Sequence, residues 1–203
     1  MKLLLHTCCA TCAIAPIELL KDKFDITLFW YNPNIHPKKE YRKRLKQVKK
    51  LKRIYKVRLI KAGYESEKWF ALTRGFEKEP EGGKRCGICF QMRLEKTAWM
   101  AHKKSFDYFA ATLTTGPQKK AETINRIGGE LAQKYNLKFF AADFKKKDGF
   151  KKSNELSKKY SFYHQNYCGC AFSAKISWAK GVKILLQKRA YDDFLWIRIN
   201  GKI

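Results

Sequence analysis

Apolar positions along this chain switch between two rhythms. Five short runs rich in β-branched or aromatic residues read as strands: "KLLLH" (2–6), "DITLFWY" (25–31), "KVRLIKA" (56–62), "FDYFAATL" (106–113) and "LKFFAAD" (137–143). Helical spacing fills the intervals, over 15–22, 37–55, 65–73, 87–102 and 118–135. It is clearest in 37–55, where Tyr41, Leu45, Val48, Leu51 and Tyr55 step by three and four. Strands alternating with helices predict an α/β fold. Its sheet is expected to be mainly parallel, flanked by helices, and to gather ligands at the carboxyl ends of its strands.

Two stretches break the rhythm. "GFEKEPEGGKR" (75–85) is rich in Gly, Pro and charge and reads as a long loop delivering Cys86. Residues 143–170 carry a short helix near 151–160, then an aromatic and polar approach to Cys168. No internal repeat or low-complexity linker appears. The expectation is a single domain over 1–175, with residues 176–203 as a helical and strand-like extension of it.

Charge changes the picture. Lys and Arg number 44 against 18 Asp and Glu in 203 residues, a formal net charge of +26. So large a surplus repels itself, and a polyanionic partner explains it best, nucleic acid ahead of an anionic membrane surface. The helix over 37–55 concentrates it: Lys38, Lys39, Arg42, Lys43, Arg44, Lys46, Lys49, Lys50, Lys52 and Arg53 face one acid, Glu40. Segments 145–152 and 117–120 add more. Thr115, Gly116 and Pro117 are read as a helix start able to take a phosphate, and Trp30, Tyr31 and Tyr163 as platforms for an unpaired base. No targeting segment and no apolar run of about 18 residues is visible, so the expected compartment is the cytoplasm, with no membrane partner.

Reduced thiols are the rule there, which turns seven cysteines into candidate ligands or redox groups. They fall in three sets: Cys8-Cys9-x-x-Cys12, Cys86-x-x-Cys89 and Cys168-Gly169-Cys170. Thiolates select zinc or the irons of a cluster. Adjacent cysteines make poor zinc knuckles, so iron–sulfur ranks first. Small buried residues at a tight turn are the plain alternative for Cys8 and Cys9. A C-x-C pair closes a strained ring when oxidised, and strained disulfides are the reducible kind. Cys12 stays unassigned, as a core residue, an additional ligand or an electron relay. No dinucleotide fingerprint or phosphate loop is present.

Three stretches, "LLLHTCCATCA", "RCGICFQMRLEKTA" and "DFKKKDGFKKSNELSKKYSFYHQNYCGCAFS", resemble the cobalamin-independent epoxyqueuosine reductases of the QueH type, in register from residue 3 to about 175. The resemblance implies a HUP-type, Rossmann-like α/β fold and reduction of epoxyqueuosine to queuosine at the wobble position of tRNA. It implies a [4Fe-4S] cluster on Cys8, Cys9, Cys86 and Cys89, and a redox-active disulfide between Cys168 and Cys170. It also implies an additional iron whose ligands no motif here marks, the anticodon region of tRNA as partner, and an electron donor of unknown identity. Thr11 stands where the family commonly has proline. His6, Tyr163, His164 and Tyr167 are candidate proton donors. Two rival readings share the basic surface. An iron–sulfur tRNA-modifying transferase of the thiolation type needs an ATP-pyrophosphate loop, and none is seen. A zinc-stabilised RNA-binding module leaves Cys168 and Cys170 unexplained.

Overall fold

The computed structural model describes residues 1–173; the extension expected over 176–203 lies outside the described residues. In chain order the elements are β1 (Lys2–His6), α1 (Ala10–Leu20), β2 (Asp25–Trp30), α2 (Lys38–Tyr55), β3 (Arg58–Lys61), α3 (Ser66–Leu72) and α4 (Lys84–Lys103). There follow β4 (Tyr108–Ala111), a 3-10 turn (Thr112–Thr115), α5 (Ala121–Lys134), β5 (Lys138–Phe139) and α6 (Gly149–Lys159). The five strands form one sheet in the order β3-β2-β1-β4-β5, and every pair is parallel. This is the α/β, Rossmann-like arrangement expected. No helix among the described residues is long and apolar enough to cross a membrane.

Strand β1 is central, and its leucines show why. Leu3 and Leu5 enter a core with Ile14, Ile17, Leu28, Val48 and Leu51, while Leu4 enters the opposite core with Phe29, Leu94, Phe109 and Ile127. A strand apolar on both sides must be covered on both, so helices close each face of the sheet. The chain runs outward from β1 to β3, then returns across the sheet through α4 to β4. The order therefore reverses between β1 and β4, and the loops leaving these two strands diverge to leave a crevice.

Helix α1 starts earlier than its apolar spacing suggests. Cys9 is its N-cap, and the cap is a sulfur, which accepts from the main-chain N–H of Cys12 at 3.2 Å. Pro16 lies inside the helix and has no N–H for the carbonyl of Cys12. Thr115 supplies the missing donor, its hydroxyl reaching that carbonyl at 2.9 Å. One hydrogen bond thus ties the cysteine turn to the turn after β4. Helix α4 also begins early, at Lys84, which places Cys86 and Cys89 in its first two turns rather than at a loop end. Strands β3, β4 and β5 are shorter than the runs that predicted them. Helix α5 begins at Ala121, so Thr115 to Pro117 form a turn and not a helix start.

Candidate functional site

The crevice between β1 and β4 is a cavity of about 280 Å³. Six of the seven cysteines line it: Cys8, Cys12, Cys86, Cys89, Cys168 and Cys170. The seventh, Cys9, is buried beside Cys8, with the two sulfurs 3.9 Å apart. The chain thus delivers thiols from the β1–α1 turn, the start of α4 and the segment after α6 to one place.

The sulfurs group on two scales. Those of Cys8, Cys9 and Cys12 lie within 4.8 Å of one another. Metal–thiolate bonds of about 2.3 Å make that spacing right for a single ion. Cys86 and Cys89, one helical turn apart, face the same cavity without joining the tight trio. The sequence grouped Cys8 and Cys9 with them and left Cys12 aside; the structure adds Cys12 to the first pair.

The surroundings favour anions. Three guanidiniums line the cavity, and all are at most 3% exposed: Arg44, Arg85 and Arg93. Arg44 is paired with Glu40 at 2.7 Å. Arg85 donates through Nη1 to the carbonyls of Phe76, Glu77 and Glu79. Arg93 has no carboxylate partner among the described residues; Nη2 donates to Asn32 at 2.8 Å and Nη1 lies 3.9 Å from the Cys89 sulfur. A buried cation needs a counter-charge, and thiolates holding a metal group would provide one. Hydrogen bonds from the Cys12 and Cys9 thiols hold Cys8 well below the usual thiol range, while burial pushes Cys9 up. Three adjoining sulfurs, one of them made more acidic by the other two, are a donor set that a metal cation would deprotonate. The residues present fit a thiolate-ligated iron group.

Cys168 and Cys170 form the opposite wall. The main-chain N–H of Cys170 donates to the Cys168 sulfur at 3.4 Å, and Ser173 Oγ lies 3.1 Å from that sulfur. A hydrogen bond from the Cys170 thiol, aided by the positive charge of Lys119, lowers the Cys168 thiol to about 5 against the effect of burial. The bond to Cys168 pushes Cys170 in the other direction. Gly169 between them has φ +106°, and a Cβ there would sit 2.9 Å from Ile35 Cγ1 and 3.1 Å from Arg44 Nη1. Only glycine fits.

Helix α2 is the basic helix, and it differs from expectation at one residue. Arg44 is not on its surface. It is 2% exposed and donates to the carbonyls of Cys168 at 3.1 Å and Tyr167 at 3.0 Å. The spacing Tyr41, Arg44, Leu45, Val48 already places it on the apolar stripe, a signal that a count of charges misses. Glu40 is buried with it, so the exposed face bears Lys38, Lys39, Arg42, Lys43, Lys46, Lys49, Lys52 and Arg53 and no acid. Lys119 too is withdrawn from the basic surface, paired with Glu81 inside the cavity.

Trp30 and Tyr31 are at most 1% exposed and belong to the core, which rules them out as stacking platforms. Tyr163 is half-buried, with the Lys43 ammonium 3.4 Å from its ring centre. His6 is fully buried, its Nε2 3.0 Å from the Tyr31 carbonyl, and burial lowers its pKa to about 3. It is neutral and has no proton to spare. His164 is exposed beside Asn154, and Tyr167 donates its hydroxyl to the His36 carbonyl. Arg85, Arg93, Gln165 and Lys119 are among the cavity residues that sequence spacing alone did not single out.

Residues 3–176 match the family model described as epoxyqueuosine reductase QueH. Relatives described by the same name include one from Streptococcus pyogenes serotype M1, 37% identical over 98% of this chain and 83% of its own. One from Staphylococcus epidermidis is 40% identical over 85% of this chain and 76% of its own. One from Thermotoga maritima is 36% identical over 84% and 88%.

Proposed function

The chain belongs to the epoxyqueuosine reductase QueH family, and from that premise we propose how its cavity converts epoxyqueuosine to queuosine in tRNA. It is an oxidoreductase of queuosine biosynthesis. One observation carries the reading further: six cysteines from three distant segments line a single cavity flanked by buried guanidiniums.

Cys8, Cys9, Cys86 and Cys89 would hold a [4Fe-4S] cluster, with Cys12 close enough to Cys8 and Cys9 to serve as a further thiolate ligand. When bound, such iron polarises the epoxide oxygen and relays electrons. Cys168 and Cys170 are the two-electron reductant. Both carbon–oxygen bonds of the epoxide break, a carbon–carbon double bond forms, and oxygen leaves as water with two protons. The Cys168 thiolate and the Cys170 thiol lose two electrons and one proton as they become a disulfide, and an acid lining the cavity supplies the second proton, so the sum balances without a nicotinamide or flavin. A reductant of the cell then restores the dithiol.

Lys119 holds a proton at Nζ inside the cavity. Burial opposes its charge, but the Cys168 thiolate and the Glu81 carboxylate outweigh burial, and its pKa is raised. The three arginines do not release protons near neutral pH, and Lys119 is the lining ammonium placed to protonate the departing oxygen. The exposed face of α2 holds the tRNA phosphates, and the cytoplasm, where thiols stay reduced, is the compartment the chemistry requires.

The test is anaerobic purification followed by iron and acid-labile sulfide analysis and an assay for epoxyqueuosine in tRNA. About four irons with sulfide, loss of iron in Cys89→Ser, and iron retained with activity lost in Cys168→Ser support the reading. Full iron and activity in Cys89→Ser sink it.

A further inference from the structure

We infer that Gln165 is a positioning residue whose side-chain amide raises the reduction potential of the iron–sulfur group by hydrogen-bonding the sulfur of Cys9. The inference rests on the ligand set proposed above. Gln165 lines the cavity in the irregular segment between α6 and Cys168. Its Nε2 lies 3.0 Å from Cys9 Sγ and 3.8 Å from Cys12 Sγ.

The segment around it is fixed on both sides. The main-chain N–H of Tyr163 reaches Gln47 at 3.4 Å and its hydroxyl lies 3.2 Å from Glu40 Oε2, while Arg44 holds the carbonyl of Tyr167. Both anchors are on α2, so the amide is presented to the sulfurs from a braced chain. Its other end, Oε1, is buried and has no partner among the described residues. The sulfur contacts therefore orient the amide. With Cys9 bound to iron and the amide ends exchanged, oxygen lone pairs would face a thiolate, which has no proton to offer.

An N–H directed at a metal-bound thiolate draws electron density from the sulfur. It stabilises the more negative, reduced state of the metal group, and hydrogen bonds to sulfur are one of the means by which proteins set cluster potentials. Other donors reach the same set of sulfurs. The N–H groups of Cys12 and Gly82, at 3.2 Å from Cys9 and Cys86, belong to the main chain, and Arg93 stands 3.9 Å from Cys89. Gln165 is the nearest side-chain donor among the described residues, and so the one a substitution can remove cleanly.

The experiment is an anaerobic redox titration of the iron-loaded protein, followed by absorption and electron paramagnetic resonance, with Gln165→Leu and Gln165→Glu beside wild type. Iron and sulfide are measured in each. Both variants keep their iron, since every ligand remains, and both become harder to reduce. The equilibrium constant for one-electron reduction falls about threefold in Gln165→Leu and about tenfold in Gln165→Glu, where a carboxylate replaces a donor; the latter is a shift of about 59 mV. If either variant fails to load, Gln165→Asn, which keeps the amide but shortens its reach, takes its place with the same expected direction. Unchanged potentials at full iron content overturn the inference and leave the cluster reading standing. Wild-type protein with iron but no low-potential couple, or with full iron in Cys9→Ser, overturns the cluster reading and the inference with it.

Discussion

The guanidinium of Arg44 lies 3.1 Å from the main-chain oxygen of Cys168, so the helix that carries the basic face also holds the loop of the C-G-C pair. Burying that charge is tolerable because Glu40 lies alongside and two carbonyls take the remaining donors.

Arg44→Met leaves Glu40 buried without its partner and should cost about 3–5 kcal/mol of stability. Urea unfolding measures it. Arg44→Met with Glu40→Gln should recover part of that loss. The affinity of folded protein for tRNA should stay within about twofold, because a residue 2% exposed cannot reach the phosphates that dominate binding. A large drop in affinity with normal stability would place Arg44 on the RNA surface instead.

The exposed face of α2 predicts the opposite pattern. Replacing Arg42, Lys46 and Lys49 together by Ala should leave unfolding unchanged and weaken tRNA binding. If all three meet phosphates, the slope of log affinity against log salt should flatten by about 2–3 units, at about 0.7–0.9 per phosphate. Titrations across a salt series give the slope directly, and an unchanged slope assigns RNA binding to another face.

The unequal thiols of the C-G-C pair can be read chemically. With Cys168 lowered to about 5 by its hydrogen bond from Cys170 and by Lys119, it is already a thiolate at neutral pH. In reduced, iron-free protein, iodoacetamide should modify Cys168 before Cys170. The rate should be nearly flat from pH 6.5 to 8 and fall below about pH 5.5. Lys119→Met should move that fall toward higher pH. Mass spectrometry of digests taken over time resolves the two sites.

One buried and one half-buried histidine make the fold sensitive to acid. Burial lowers His36 to about 4 and His6 to about 3, and neither ring nitrogen of His36 has a partner among the described residues. Unfolded, each titrates near 6.5, so below that pH the unfolded chain binds the extra protons and stability falls. The expected loss is about 1.4 kcal/mol per pH unit for each histidine, from about pH 6.5 down to about 4. His36→Phe, which keeps the packing against Trp69 and Phe70, should halve the slope. Urea midpoints between pH 7 and 4.5 test this, and an unchanged slope would mean that His36 is charged in the folded protein.

How much of this was legible in the sequence depended on periodicity. Strands β1 and β2 and helix α2 are long, regular and apolar at the right spacing, so tertiary context had little to add. The start of α1 was hidden because a cysteine caps it and Thr115 answers the carbonyl that Pro16 leaves free. Thiol spacing marked the three cysteine sets, but not that Cys12 lies closer to Cys8 and Cys9 than the other cysteines do. Gln165 sits in a stretch without repeat or regular structure. Its role depends on a sulfur 156 positions earlier in the chain, and no local pattern encodes that distance.

The wall that begins at Gln165 has a consequence for biogenesis. Cys168 and Cys170 leave the ribosome more than 150 positions after Cys8 and Cys9. Until that late segment docks on α2, the early sulfurs have a turn but no enclosure. Iron delivered to a nascent chain would meet an open, water-filled notch exposed to oxygen. Metal loading at these thiols would therefore follow synthesis of the segment that carries Cys168 and Cys170.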